Sequence, residues 1–202
     1  MLLPEPIPPV ITVSRQMGSN AGEIMEAVRG ILGDAWQVWD SALLDEVARR
    51  TDSSLQMLQA MDEKEQSQID LIMRSLVGAP IVEEFTYRHQ LAQVMLALAQ
   101  GGRAIIVGRG ATFVLQNALK VRLRADFEFR VENAARAYGW PRKEAELKVR
   151  ASDREQSEFI RTEFERDIDS VSLYDMTLST DTLGVQASAA AIAAAARARF
   201  NF

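Results

Sequence analysis

The chain has 202 residues, is 48% hydrophobic and 25% charged, and carries a formal net charge of −5; at roughly 150 residues per domain this predicts one globular domain. With no cysteine and one histidine, disulfide frameworks, thiolate metal clusters, cysteine nucleophiles and most histidine catalysis are excluded. No stretch approaches the roughly 18 consecutive apolar residues of a membrane span. The leader MLLPEPIPP lacks the basic and apolar regions of a secretory signal, so a cytoplasmic location is expected.

The acidity is unevenly spread. Residues 1–100 hold 7 Lys+Arg against 14 Asp+Glu, whereas residues 101–202 hold 16 against 14, and 13 of those 16 cations are arginine. Guanidinium groups bind phosphate and carboxylate bidentately, so an arginine-heavy half suggests an anion site. A general preference for arginine over lysine explains the count equally well, since the first half has six Arg to one Lys.

In chain order, residues 9–14 read as a short buried strand of β-branched residues, closed by the small-residue loop Gly18-Ser19-Asn20-Ala21-Gly22. Residues 23–32 carry Ile24, Val28, Ile31 and Leu32 at helical spacing and stop at Gly33. A second strand is expected over 36–39, and Asp40-Ser41 opens a helix over 42–50 with Asp40 at the N-cap. Long helices follow over 54–77 and 81–99, separated by Gly78-Ala79-Pro80 and ended by Gly101-Gly102.

Residues 103–107 form the clearest buried strand, followed by Gly108-Arg109-Gly110 and a short helix over 111–115. Leu119, Val121 and Leu123 alternate with Lys120 and Arg122, which predicts a strand leading to Asp126 and a helix through 137. After Gly139-Trp140-Pro141, residues 142–166 are charged almost throughout, with a few apolar anchors, and predict a protruding helix. A last strand over 173–179 precedes Thr180-Asp181 and an alanine-dense helix to 199.

Five strands interleaved with helices predict an α/β, three-layer architecture around a five-stranded parallel sheet. Ligands bind such sheets at the carboxyl ends of the strands, where all these turns should gather. The loop 18–22 at a helix start is a phosphate-cradle candidate, because it offers N–H groups and the positive end of the helix dipole. It lacks the G-x-x-x-x-G-K-[ST] consensus, having Ala21-Gly22-Glu23 at its end.

The run Ile11-Thr12-Val13-Ser14-Arg15-Gln16-Met17-Gly18-Ser19, with Ile106-Val107-Gly108-Arg109-Gly110, Arg122-Leu123-Arg124-Ala125, Ser152-Asp153-Arg154, Tyr174-Asp175 and Ser179-Thr180-Asp181, resembles the cytidylate-kinase-like family of P-loop proteins. The resemblance spans residues 10 to about 195. It implies a single nucleoside-monophosphate-kinase-like domain over 1–202, with its core at 9–50 and 101–202, a helical acceptor-binding insert at about 51–100 and a lid at about 139–170.

By the same resemblance, Gly18, Ser19, Asn20, Ala21 and Gly22 would hold donor phosphates, with Arg15 at the start of the loop. Asp40, Ser41 and Arg109 would serve the acceptor. Arg150, Arg154 and Arg161, which share a helical face by spacing, would be lid arginines closing over the transferring phosphoryl group, where positive charge stabilises the equatorial oxygens. The plainer reading makes them a solvated face paired with Asp153, Glu158 and Glu165, and makes Asp40 only a cap.

The chain departs from the family pattern at two places. Asn20-Ala21-Gly22 carries no cation where the family shows a glycine pair followed by arginine, and Ser157 stands where another arginine is expected. The activity that the resemblance implies is transfer of the γ-phosphoryl group of ATP, with Mg2+, to CMP or a related nucleoside monophosphate. A kinase for another small acceptor is a less favoured reading. The alternative from a different class is a catalytically degenerate nucleotide-binding or interaction module, with a homodimer through its long helices. No nucleic-acid partner and no membrane are expected.

Overall fold

The computed structural model describes residues 8–42, 44, 82–108 and 110–202. Arg109, most of the helix expected over 42–50 and the one expected over 54–77 lie outside the described residues, and with them most of the expected insert.

Five strands, β1 (Val10–Arg15), β2 (Gln37–Trp39), β3 (Ala104–Val107), β4 (Leu119–Arg124) and β5 (Met176–Ser179), form one sheet in the order β2-β3-β1-β4-β5. All four pairings are parallel. Parallel strands need crossovers, so helices lie on both faces and the central strands are apolar on both sides. β1 occupies the centre, with Val13 beside Val107 of β3 and Ser14 beside Arg122 of β4.

On one face Ile11, Val13, Ile105, Val121 and Leu123 pack against α1 (Ala21–Leu32) and the C-terminal helix α6 (Thr180–Phe200). Small buried side chains at Ala189, Ala193 and Ala196 let α6 lie close to its neighbours. Gly184, at φ 70 and ψ 177, sets the first turn of α6 off from the rest. On the other face Val10 and Ile106 pack against α2 (Val82–Gly101) and the short α3 (Ala111–Val114). Leu91, Ala92, Val94 and Met95 of α2 belong to this core layer.

Helices α4 (Phe127–Tyr138) and α5 (Arg142–Phe164) form a hairpin turned at Gly139, which has φ 67. Asp126 caps α4 by accepting from the Glu128 N–H at 2.8 Å. The hairpin has its own small core of Val131, Ala134, Ala145 and Val149, against which Met17 and Trp140 pack.

The sequence pattern and the structure part at two points. β5 begins at Met176 instead of 173, because Val171–Leu173 wind into a 3-10 turn and Asp175 starts the ladder, giving its N–H to the Lys120 carbonyl at 2.8 Å. The alternation over 119–123 predicts a strand without marking its charged positions as buried, yet Arg122 is only 3% exposed. The segment after α5 closes over it, with Asp169 3.4 Å from its Nη2 and the Tyr174 ring centroid 5.9 Å from its guanidinium carbon. Among the described residues no helix is long and apolar enough to cross a membrane.

Candidate active site

Because every strand runs the same way, the loops after β1, β2, β3 and β4 emerge at one edge of the sheet. The loop after β1 is held there by its own backbone and by α4. The Gln16 N–H donates to the Leu123 carbonyl at 3.1 Å, and the Gln16 side-chain oxygen accepts from the Ala125 N–H at 3.1 Å. Ser19 is 1% exposed and turns back on the loop, donating its hydroxyl to the Gln16 carbonyl at 2.7 Å.

Gly18 has φ +80, and a Cβ there would overlap the Arg130 carbonyl. Its own carbonyl accepts from the Asn133 amide at 3.0 Å. Asn20 follows in the left-handed region at φ 56 and makes no side-chain cap. The first-turn N–H groups of α1 have no acceptor within the helix, so Ala21, Gly22 and Glu23 offer theirs to the edge. Gly22 is exposed, with nothing within 4 Å of the place where a Cβ would sit.

Beside this loop lies a cavity of about 350 Å³. Its floor is made by Ser14 and Arg15 at the end of β1, Gly108 after β3, and Thr112 of α3, with Ser41 after β2 at the side. Its roof is α5, through Glu155, Gln156, Phe159 and Ile160. The Arg15 guanidinium lies across Gly108, where a Cβ would come within 2.6 Å of Nη1. Gly110 is needed for a different reason: a Cβ there would come within 2.6 Å of the Phe164 ring. Phe164 stacks on Phe113 at 4.2 Å between centroids, and this contact holds the end of α5 down on the floor.

The structure thus brings Arg15 and Ser41 together at the cavity, with residues 18–22 in the neighbouring loop. Asp40 takes the cap position, its carbonyl accepting from the Leu44 N–H at 3.0 Å. Arg150, Arg154 and Arg161 share a face of α5, as their spacing requires, but it is not the face that roofs the cavity. Arg150 lies over the Phe127 ring at 4.1 Å, while Arg154 and Arg161 border a shallow outer depression with Ser157, Glu158 and Arg166. Glu158 lies 3.9 Å from Arg161, and both are about three-quarters exposed. Asp153 pairs with neither.

Asp153 instead receives both terminal nitrogens of Arg130 at 2.9 Å, and Arg130 Nε donates to the Ala125 carbonyl. Arg130 therefore joins α5 to the loop that it touches through its own carbonyl. Periodicity gives no sign of it, since Arg130 sits in a helix whose apolar positions are elsewhere. Arg122 is the second group that pattern reading misses. Its Nη1 donates to the Ser14 hydroxyl at 2.8 Å, and its Nη2 lies 3.4 Å from one oxygen of Asp169.

Tyr174 completes this cluster, donating to the Ile168 carbonyl at 2.9 Å and lying 3.5 Å from the Ser14 hydroxyl. Burial pushes its phenol above the ordinary value of 10.0, opposed by the hydrogen bond with Ser14 and the charge of Arg122. A phenol raised in the folded state is bound as the neutral form, so its contribution is complete below the unfolded pKa of about 10 and is lost as pH rises through the folded value. The unfolding midpoint of wild type should fall more steeply above about pH 10 than that of Tyr174→Phe, as read by circular dichroism melts. Parallel curves would show that Tyr174 is not the group responsible.

An all-parallel sheet in the order β2-β3-β1-β4-β5, a glycine loop from the central strand into α1, and a helix roofing the strand ends define a P-loop kinase-like α/β fold. The chain belongs to the cytidylate kinase-like family, whose sequence profile matches residues 10–182. A crystal structure of an uncharacterized protein from Eubacterium ventriosum ATCC 27560 shares the fold, with a TM-score of 0.73 and 15% identity over 94% of this chain and 98% of that one. The crystal structure of TT1252 from Thermus thermophilus aligns with a TM-score of 0.49 and 17% identity, over 93% and 97% of the two chains. No curated protein matches the sequence.

Proposed function

We propose that the protein is a nucleotide kinase that moves the γ-phosphoryl group of ATP to CMP or a related nucleoside monophosphate. The observation that carries this reading is the roofed cavity beside the glycine loop, with Arg15 on its floor. An acceptor phosphate in the cavity and donor phosphates on the loop would meet at the edge of β1. Catalysis of phosphoryl transfer is mostly positioning and positive charge, and the acceptor is already an anion that needs no general base.

ATP suits the loop through the uncapped first-turn N–H groups of α1, which can donate to phosphate oxygens. Gly18, Ser19, Asn20, Ala21 and Gly22 would cradle the phosphates through backbone. Mg2+ prefers phosphate oxygens, water and one or two carboxylates. Glu23 in the first turn of α1 and Asp40 after β2 are carboxylates at this edge. Bound Mg2+ would neutralise charge on the phosphates.

Ser41 and Arg15, with Arg109, would hold the acceptor, and Glu155 and Gln156 would meet its polar edge from the roof. Arg150, Arg154 and Arg161 on the other flank of α5 would serve the donor side, with Arg150 nearest the loop through Phe127 and Met17.

A coupled ADP-release assay with Mg2+-ATP and a panel of nucleoside monophosphates should give CMP-dependent turnover. If no monophosphate promotes ADP release and no nucleotide raises the melting temperature at millimolar concentration, the reading is wrong. One observation favours binding without transfer as a second reading: residues 20–22 bring no cation to the phosphate cradle. Positive charge on a transferring phosphoryl group is worth about 10³ in rate or more. Gly22→Arg, at a position with open space around it, should therefore raise kcat at least about tenfold. Unchanged turnover in that variant would show that the missing charge is not what limits the reaction.

A further inference from the structure

Arg122 is a charge in an unusual place. Its side chain is 4% exposed, and its Nε is buried with no hydrogen-bond partner among the described residues. Among the described residues the carboxylate paired with it is Asp169, which is 3.4 Å away through a single oxygen and has a side chain 53% exposed to water. Water screens that contact, so it offsets little of the cost of burying a guanidinium. The remaining strong contact is the 2.8 Å hydrogen bond to Ser14, whose own position lies on the cavity floor between Val13 and Arg15.

The hydrogen bonds fix what Ser14 can do. Its oxygen accepts from Arg122, and the single Tyr174 proton goes to the Ile168 carbonyl at the shorter distance. The Ser14 oxygen thus faces the Arg122 and Tyr174 donors, and its own proton is left for a group in the cavity. A hydroxyl that accepts from a cation is a stronger donor, and an anion that takes its proton also lowers the cost of the buried charge behind it.

We infer that Arg122 is a positioning residue which, from beneath the cavity floor, orients the Ser14 hydroxyl and supplies part of the positive field that binds a phosphate monoester there. This rests on the cavity being the acceptor site, and names the charge and the donor that the site uses besides Arg15. Ser14 touches the oxyanion, and Arg122 acts through it.

The test uses the full chain and two separate probes, inorganic phosphate and Mg2+-ATP, each titrated against melting temperature and by calorimetry. Phosphate should stabilise wild type, and its affinity should fall about tenfold in Ser14→Ala and more in Arg122→Gln. The double variant should lose little beyond Arg122→Gln, because the two act as one unit. Arg122→Lys, which keeps the charge without the fork, should recover part of the binding. Gly22→Asp, which adds a repelling carboxylate at the mouth of the loop, should keep the phosphate response and thereby assign it to the cavity.

In turnover, Arg122→Gln should raise the KM for the monophosphate about tenfold while leaving the Mg2+-ATP response as in wild type. A merely structural role would instead lower the melting temperature and weaken both ligands together. No phosphate response in wild type, equal responses in wild type and Ser14→Ala, or fully additive losses would each overturn the inference. Should Arg122→Gln fail to fold, Ser14→Ala and Arg122→Lys decide by the same criteria. Failure of the kinase reading looks different: phosphate binding still depends on Arg122 while nucleotides have no effect.

Discussion

Asp153→Ala should destabilise the protein by about 3 kcal/mol, because it leaves the Arg130 guanidinium buried without its carboxylate. Arg130 is 5% exposed at the side chain and makes a two-pronged contact with Asp153 at 2.9 Å on each side. The value belongs at the lower end of the range for broken buried pairs, since Asp153 keeps about a third of its surface in water. Urea denaturation monitored by far-ultraviolet circular dichroism measures the loss.

The double variant Arg130→Met with Asp153→Ala supplies the control. An apolar replacement of both partners removes the stranded charge, so it should recover a good part of the lost stability. If the double variant is as unstable as the sum of the singles, the penalty is lost packing and not an unpaired charge. The functional consequence follows from the contacts of Arg130. Its side chain holds α5 while its carbonyl abuts Gly18, so breaking the pair should also weaken Mg2+-ATP binding, although Asp153 faces α4 and not the cavity.

Gly18→Ala should be nearly as damaging. The added Cβ meets the Arg130 carbonyl, a backbone atom that cannot swing away, and the residue must keep φ at +80. Left-handed strain in a non-glycine residue and the steric overlap together should cost at least about 2 kcal/mol. The loop should also shift away from α4, breaking the bond from Asn133 and removing nucleotide-dependent stabilisation in melts. Gly22→Ala is the matched comparison, with a helical backbone and open space at its Cβ. It should be neutral or add up to about 1 kcal/mol. Equal melting temperatures for Gly18→Ala and Gly22→Ala would contradict the tight packing of loop on helix.

Much of the scaffold is legible in one dimension. Ile11, Val13, Ile105 and Val107 are β-branched, closely spaced and bounded by turn residues, and they form central strands. Gly33 and Gly139 stop helices in the way their freedom at positive φ allows. The strand, glycine-loop and helix order along the chain also places residues 18–22, Ser41 and Gly108 at a common edge, since parallel strands bring all following loops there.

The side of each helix that meets the site was not legible. Spacing correctly predicts that Arg150, Arg154 and Arg161 share a face, but it carries no information about which neighbour that face meets. Glu155, Gln156 and Phe159, one position along, roof the cavity instead. The residues that lock the site together, Arg130 with Asp153 and Arg122 with Ser14, are 23 and 108 positions apart. Local pattern cannot report such pairs, because a lone arginine among polar residues looks solvated until two other elements close over it. Periodicity and turn residues alone therefore determined the class of fold and the edge at which the loops gather, and the small-residue loop made that edge a candidate anion site. Only the tertiary structure decided which cations are buried, which are left at the surface and which hydroxyl they aim, because burial belongs to layers brought together from distant parts of the chain.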